Sequence, residues 1–129
     1  MKTSISFLAL LLMAAPVGAE DAFSPYVDSE GTISLPEDYR TNWSHLGSWV
    51  VPNQDAEGYG FHDVYTQPES VAAYREKGEF PDGTVLVKEI RTVRSDQMTT
   101  GQVSWAGEMA VWFVMIRDKQ GRFPEDQNW

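Results

Sequence analysis

The segment TVLVKEIRTV, residues 84–93, predicts a β-strand, because threonine and branched aliphatic residues favour the pleated conformation. Alternate side chains of a strand point to opposite faces of its sheet. In this register one face carries Leu86, Lys88 and Ile90. The opposite face consists of Val85, Val87, Glu89 and Arg91. The amine of Lys88 is therefore expected to share a face with two large aliphatic side chains.

The residues before this strand predict a helix followed by a tight turn. Thr66 and Glu69 have the spacing of a capping box. Pro68 falls in the first helical turn, where its missing N–H is harmless. We predict a helix over residues 67–77, ended by a lysine and a glycine, and a tight turn over residues 80–83.

Two further strands are predicted nearer the N-terminus. Residues 46–51 are a short apolar run rich in Trp and Val and are closed by a proline. Residues 61–66 alternate in the way that is typical of a strand. Residues 20–32 are polar and turn-rich and predict a surface arm. The acidic residues that follow Pro36 predict a short helix near residues 37–40.

The long apolar segment 103–116 fits either a helix or a strand. Its second half, residues 111–116, is rich in β-branched and aromatic residues, which favours a strand there. We predict a polar loop over residues 94–102. Residues 118–121 have the composition of a hairpin turn, yet Pro124 interrupts the short segment that follows. The predicted sheet therefore lacks a returning strand.

The predicted elements indicate a single α+β domain, mainly antiparallel β-sheet with flanking short helices, because strands outnumber helices without βα alternation. A chain of 129 residues with 42% hydrophobic content agrees with one domain. The sequence has 19 Asp and Glu against 10 Lys and Arg, which gives a formal charge of −9. Phosphate backbones would be repelled, so we expect no nucleic-acid partner.

Residues 1–19 have the pattern of a signal peptide. Lys2 is followed by an apolar stretch of about half the roughly 20 residues that a membrane helix needs. Small or compact residues stand at the end of this segment. We expect cleavage after Ala19, export to the periplasm, and no membrane span in the remaining domain, residues 20–129.

The common catalytic and metal-binding motifs are absent from the sequence. It has no Cys, which excludes disulfides, thiolate metal sites and a Cys nucleophile from these residues. His45 and His62 lack metal-ligand spacing, and the strand alternation predicts a solvent-facing His62. The acidic side chains, Glu89 among them, are scattered, which is typical of a solvated face. Glu108 is the exception, because it lies inside the apolar segment.

Lys88 is the candidate with the clearest chemical interpretation. Burial favours the neutral, nucleophilic form of an amine. A lysine between two aliphatic side chains therefore suits covalent chemistry with a cofactor or a carbonyl compound. The alternative is a lysine whose aliphatic stem lies on the apolar surface while its ammonium reaches water at a sheet edge. The residues alone leave both interpretations open.

Residues 67–89, QPESVAAYREKGEFPDGTVLVKE, resemble the signature segment of the cytochrome P-460 family and its cytochrome c′-β relatives. The core of this pattern, residues 78–89, is moderately specific. The similarity extends upstream to positions between 35 and 53, including Tyr39 and Arg40, and downstream through residues 111–124. It covers most of the chain after the predicted signal peptide.

This resemblance implies an exported c-type cytochrome, usually a homodimer, whose haem is attached through a C-terminal CxxCH motif. In the P-460 branch a lysine in the strand after Asp-Gly-Thr is joined to the porphyrin edge, and that lysine is Lys88 here. The five-coordinate iron of this branch oxidises hydroxylamine, handles nitric oxide and passes electrons to an electron-accepting cytochrome. Lys88 is thereby implied as a cofactor-binding residue and a tether rather than an acid or base.

The sequence departs from the family in having no CxxCH motif and no histidine near its end. We therefore expect a fragment that stops before the haem-attachment site, and coding DNA beyond Trp129 would reveal the motif. Two alternatives stay open. One is a c′-β-like protein that binds nitric oxide without turnover, and the other is a haem-free exported sheet domain that dimerises and binds a small ligand or nothing.

Overall fold

A computed structural model describes residues 23–123 and Trp129. The elements of this part of the chain are α1 (Tyr39–Asn42), β1 (Ser44–Val51), β2 (Gly60–Thr66), α2 (Pro68–Lys77), β3 (Val85–Met98) and β4 (Gly101–Ile116). The four strands pair antiparallel in the order β1-β2-β3-β4. The predicted α+β fold, mainly antiparallel sheet with flanking short helices, is confirmed. The predicted signal peptide, residues 1–19, lies outside the described residues.

The bounds of β1, β2, α1 and α2 lie within two residues of the predicted ones, but the predicted capping box is wrong. Gln67 is the N-cap residue of α2, and no side chain caps this helix. Thr66 still belongs to β2, and its hydroxyl donates to the carbonyl oxygen of Val85 at 2.7 Å. The threonine therefore ties β2 to β3 instead of starting the helix. Gly78 ends α2 in the left-handed conformation, with φ of 73°.

The predicted loop over residues 94–102 is wrong. β3 continues to Met98 and β4 begins at Gly101, so the two strands form one long hairpin. β2 pairs only with the part of β3 that ends at Arg91, and the remainder of the hairpin extends past the sheet as a two-stranded ribbon. Polar side chains are compatible with strands there because both faces of the ribbon are open to solvent. The segment 103–116 is strand throughout.

The predicted surface arm, residues 20–32, is also wrong in its described part. Phe23, Tyr26 and Val27 pack against the hydrophobic core, and Ser24 is buried. Val27 forms an isolated antiparallel bridge with Ile33. The segment is polar on average but includes three apolar side chains. Because burial of these side chains from water is favourable, the segment packs against the sheet.

The core lies on one face of the sheet, which we call the core face. Its buried hydrophobic residues are Tyr39, Tyr65, Val85, Val87 and Ile116. Helix α1 supplies Tyr39, and the N-terminal segment covers the cluster from outside. Of the helices in the described part of the chain, none is long and apolar enough to cross a membrane. The opposite face of the sheet has no comparable cover within the described residues.

Side chains of the segment after β4 hold it against the turn before β3. Arg122 reaches Asp82 at 3.0 Å and Asp118 at 2.8 Å, and the backbone N–H of Phe123 donates to Asp118 at 2.8 Å. Burial opposes ionisation of Asp82 and Asp118, but hydrogen bonds from Arg122 and backbone N–H groups outweigh it and lower the pKa of both. The predicted interruption at Pro124 lies outside the described residues.

Candidate functional site

Lys88 lies in the middle of the paired part of β3. Its Cα partners are Val64 on β2 and Phe113 on β4, so the three residues form one row across the sheet. The adjacent row is Thr66, Leu86 and Met115. We call this side of the sheet the lysine face, defined by Val64, Leu86, Lys88, Phe113 and Met115. Side chains directly opposite in a sheet are close neighbours, so the lysine stands among apolar groups.

A concave site of about 460 Å³ opens beside this row. Its lining consists of Val64, Leu86, Lys88, Phe113, Val114 and Met115. Its volume lies in the range of small-molecule and cofactor sites. Lys88 is the one charged residue among its lining residues. The concavity therefore offers an apolar surface with a single polar group.

The amine of Lys88 lies over the aromatic ring of Phe113, with Nζ 4.4 Å from the ring centroid. This distance is within the range of a cation–π interaction. The lysine is half-buried, and it lines the same concavity as Leu86. The predicted register, which placed Lys88 on a face with large aliphatic residues, is confirmed. Its role as a cofactor ligand stays a prediction.

The apolar surface continues along the lysine face beyond the concavity. Register places Trp49 and Val111 on the same side as Lys88. Large apolar side chains on this side are 40–46% exposed, namely Trp49, Val111, Phe113 and Met115. A contiguous exposed apolar surface of this kind is typical of a site that binds a ligand or a partner.

His62 is buried, so its predicted exposure to solvent is wrong. Its side chain stacks on Trp49 with ring centroids 4.9 Å apart, and Nε2 lies 2.7 Å from the carbonyl oxygen of Gly58. β2 is an interior strand, and the large ring from β1 covers the imidazole. His45 is exposed and lies 2.9 Å from the Ser48 hydroxyl. Within the described residues no cluster of His, Asp or Glu has the form of a metal site.

Glu108, the acidic residue singled out from the sequence, lies at the surface. Its side chain is 86% exposed and stands 3.6 Å from Arg94 in the hairpin ribbon. An exposed pair of this kind contributes little to stability. Glu108 lines no part of the concavity beside Lys88.

Glu89 is the buried acid that sequence reasoning missed, since its scattered position indicated a solvated face. Its side chain is fully buried on the core face. Tyr39 donates a hydrogen bond to Oε2 at 2.5 Å. The guanidinium of Arg40 contacts Oε1, and that of Arg91 lies 3.6 Å from the same oxygen. One phenol and two guanidinium groups thus surround the carboxylate.

The electrostatics of this cluster favour a neutral phenol beside charged guanidinium groups. Burial raises the pKa of Tyr39, and the positive charge of Arg40 offsets part of that effect. A hydrogen bond to Tyr65 raises the pKa of Arg40, which keeps its guanidinium charged. The sequence contained one signal of this cluster: Tyr39 and Arg40 adjoin in a segment that resembles the cytochrome P-460 family. Nothing local connects them to Glu89.

A comparison with protein families identifies the family of this chain. The sequence matches the family Cytochrome P460 over residues 36–129, which is more than half of the chain. The chain belongs to the cytochrome P460 family. The match includes α1, all four described strands and Lys88. No curated protein matches the chain. Membership of the cytochrome P460 family supports a haem protein.

The concavity fits the organic part of a haem. An apolar wall suits the face of a porphyrin, and Lys88 is the one charged group in that wall. The fit does not extend to the iron, because the lining residues include no histidine or cysteine. The lining residues of this concavity therefore suit an apolar macrocycle and include no ligand for its metal.

Proposed function

We propose that this member of the cytochrome P460 family is an exported haem protein that oxidises hydroxylamine and handles nitric oxide, with Lys88 as the residue that holds the porphyrin edge. The observation that carries the proposal is the position of the Lys88 amine in an apolar concavity. When bound, haem iron supplies the site where the nitrogen compound binds and from which electrons leave.

In this proposal the apolar lining residues and Lys88 have different tasks. Leu86 and Met115 present aliphatic surface to the flat face of the macrocycle and exclude water from it. Phe113 lies beneath the amine and restricts the conformations of the Lys88 side chain. The lysine then acts as an anchor, and proton transfer is not among its tasks.

The proposal includes partners that match its chemistry. Oxidation of hydroxylamine releases electrons, so an electron-accepting cytochrome is needed. We propose that both proteins act in the periplasm, since residues 1–19 of this chain have the pattern of a signal peptide. A homodimer would cover part of the exposed apolar sheet. We propose both the acceptor and the second copy as partners.

A second candidate function is binding of nitric oxide without turnover, as in the c′-β relatives. The observation in its favour is the composition of the concavity, whose lining includes no carboxylate and no imidazole. Oxidation of hydroxylamine requires removal of protons, for which a nearby base is useful. Nitric oxide carries no proton, so binding it makes no such demand.

Replacement of Lys88 in the haem-loaded protein tests these functions. We expect Lys88→Ala to abolish hydroxylamine turnover while haem stays bound and nitric oxide still binds. The matched control is Lys119→Ala, which removes an exposed lysine paired with Glu79 at 2.8 Å and should leave turnover unchanged. Wild-type protein that binds nitric oxide but has no turnover would establish the second function. Native protein without haem absorption would contradict both.

A further inference from the structure

The apolar pattern of β3 does not by itself determine which face Lys88 occupies. Val85 and Val87 lie on the core face, while Leu86 and Ile90 lie on the opposite side. A shift of one residue exchanges the two faces of a strand. Where both faces carry apolar side chains, the apolar pattern alone does not distinguish the two arrangements. The apolar pattern from Val85 to Ile90 therefore does not fix the register of β3, and another interaction must fix it.

The residues that distinguish the two faces are Lys88 and Glu89. Glu89 is fully buried on the core face, where Tyr39, Arg40 and Arg91 surround its carboxylate. On the other side, the lining of the concavity includes no cation besides Lys88 and no hydroxyl group. The core face is thus built to receive a carboxylate, and the lysine face is not.

A one-residue shift of β3 would incur two electrostatic penalties. The carboxylate of Glu89 would move to an apolar surface away from Tyr39 and Arg40, which is costly for a buried charge. The ammonium of Lys88 would move next to the guanidinium of Arg40 on α1, and like charges at short range repel. Both penalties oppose the shift. Placing leucine and isoleucine on the core face instead of the two valines would by itself change the free energy of folding little.

Two of the partners of Glu89, Tyr39 and Arg40, belong to α1 and not to β3, which allows them to act as a reference. Tyr39 packs on Tyr65 with ring centroids 5.4 Å apart, and both belong to the buried core cluster. Arg91 is fixed from β4, because its Nε donates to the carbonyl oxygen of Gly107 at 2.8 Å. The groups that bind the Glu89 carboxylate therefore come from α1 and from the β3–β4 hairpin.

We propose that Glu89 is a positioning residue for Lys88: capture of its carboxylate by Tyr39 and Arg40 of α1 sets the register of β3 and so places the amine in the concavity. This inference rests on the proposed role of Lys88 and extends it to a residue on the opposite face of the sheet. Buried ionic groups that specify register are known as a general device in proteins.

Acetylation of lysines in the full-length protein as purified, quantified by peptide mass spectrometry, tests this role. Lys119 is the internal standard for reagent access. In wild-type protein we expect Lys88 either to carry the cofactor or to react slowly. In Glu89→Ala the unlinked fraction of Lys88 should react about tenfold faster, because a strand without a fixed register no longer holds the amine against Phe113. Glu89→Asp, which retains the carboxylate, should restore most of the protection.

The matched control is Val87→Ala, a truncation at a fully buried neighbour on the same face of the same strand. It destabilises the sheet without removing a charge, so Lys88 should stay protected. An equal increase of Lys88 reactivity in Val87→Ala and Glu89→Ala would overturn the proposal, since loss of stability would then explain both. If Glu89→Ala does not fold, Glu89→Gln has the same size, and unchanged protection in that variant would overturn it equally.

The two proposals fail in distinguishable ways. If Lys88 carries no cofactor in the wild-type protein but becomes reactive in Glu89→Ala, the positioning role stands and the tether is wrong. If Lys88 carries the cofactor to the same extent in wild-type protein and in Glu89→Ala, the tether stands and the positioning role is wrong.

Discussion

The phenolic oxygen of Tyr39 lies 2.5 Å from Oε2 of Glu89 and joins α1 to the middle of the sheet. The two residues are 50 positions apart in the sequence. The other carboxylate oxygen, Oε1, receives no hydrogen bond of regular geometry and is held by the charges of Arg40 and Arg91. The phenol is therefore the principal hydrogen-bond donor to a buried carboxylate.

Replacement of Tyr39 by Phe removes this donor and leaves a buried acceptor without it. We expect the free energy of unfolding to fall by about 1–3 kcal/mol. Urea denaturation followed by circular dichroism measures the change. Tyr74→Phe is the control, because Tyr74 is 47% exposed on α2 and its replacement should change stability by less than about 0.5 kcal/mol. Equal unfolding midpoints for the two variants would show that the buried hydrogen bond contributes nothing.

The raised pKa of Tyr39 predicts a loss of stability at high pH. Burial disfavours the phenolate, so the folded protein retains the phenolic proton when the unfolded chain has already lost it. The stabilisation is complete below about pH 10, the usual pKa of tyrosine, and is lost as pH rises through the folded value. We expect stability above about pH 10 to fall more steeply in wild-type protein than in Tyr39→Phe. Parallel alkaline profiles would refute this assignment.

The lowered pKa values of Asp82 and Asp118 predict a loss of stability at low pH. Both carboxylates are ionised in the fold at a pH where the unfolded chain is partly protonated. Their stabilisation is present above about pH 4 and is lost as pH falls through the folded values. Arg122→Gln should therefore move the midpoint of acid unfolding to higher pH. Lys119→Ala, in a neighbouring surface pair, should move it much less.

The hairpin ribbon predicts a gradient of hydrogen exchange along β3. Residues from Leu86 to Arg91 have neighbours on both sides, whereas those from Val93 to Met98 pair with β4 alone. A two-stranded ribbon is marginally stable by itself. Amides of the outer segment that bond to β4 should exchange faster than those of the inner segment, as measured by NMR or mass spectrometry. Uniform protection along β3 would mean that another chain covers the ribbon.

Local patterns in the sequence were sufficient to predict the first half of β3 and the side chains that share a face with Lys88. The alternation of residues 84–93 gave the strand, and its period of two placed Lys88 beside Leu86 without reference to any other element. Pro68 and Gly78 similarly bounded α2, because their backbone preferences act within a few residues. These features depend on short-range physics.

Features that depend on distant residues could not be predicted. Burial of Glu89 requires Tyr39 and Arg40 from another element, and an isolated glutamate is usually solvated. His62 is buried because Trp49 of β1 stacks on it. The ribbon residues look like a loop by composition, and only their pairing across the hairpin makes them strands.

The account depends most directly on a covalent link between Lys88 and the cofactor. Mass spectrometry of the denatured, proteolysed haem-loaded protein measures it. None of the 129 residues is Cys, so a thioether to these residues cannot explain haem retained on one of their peptides. We predict that the peptide containing Lys88 carries the mass of the macrocycle. An unmodified Lys88 peptide in protein that contains its full complement of haem would contradict the account.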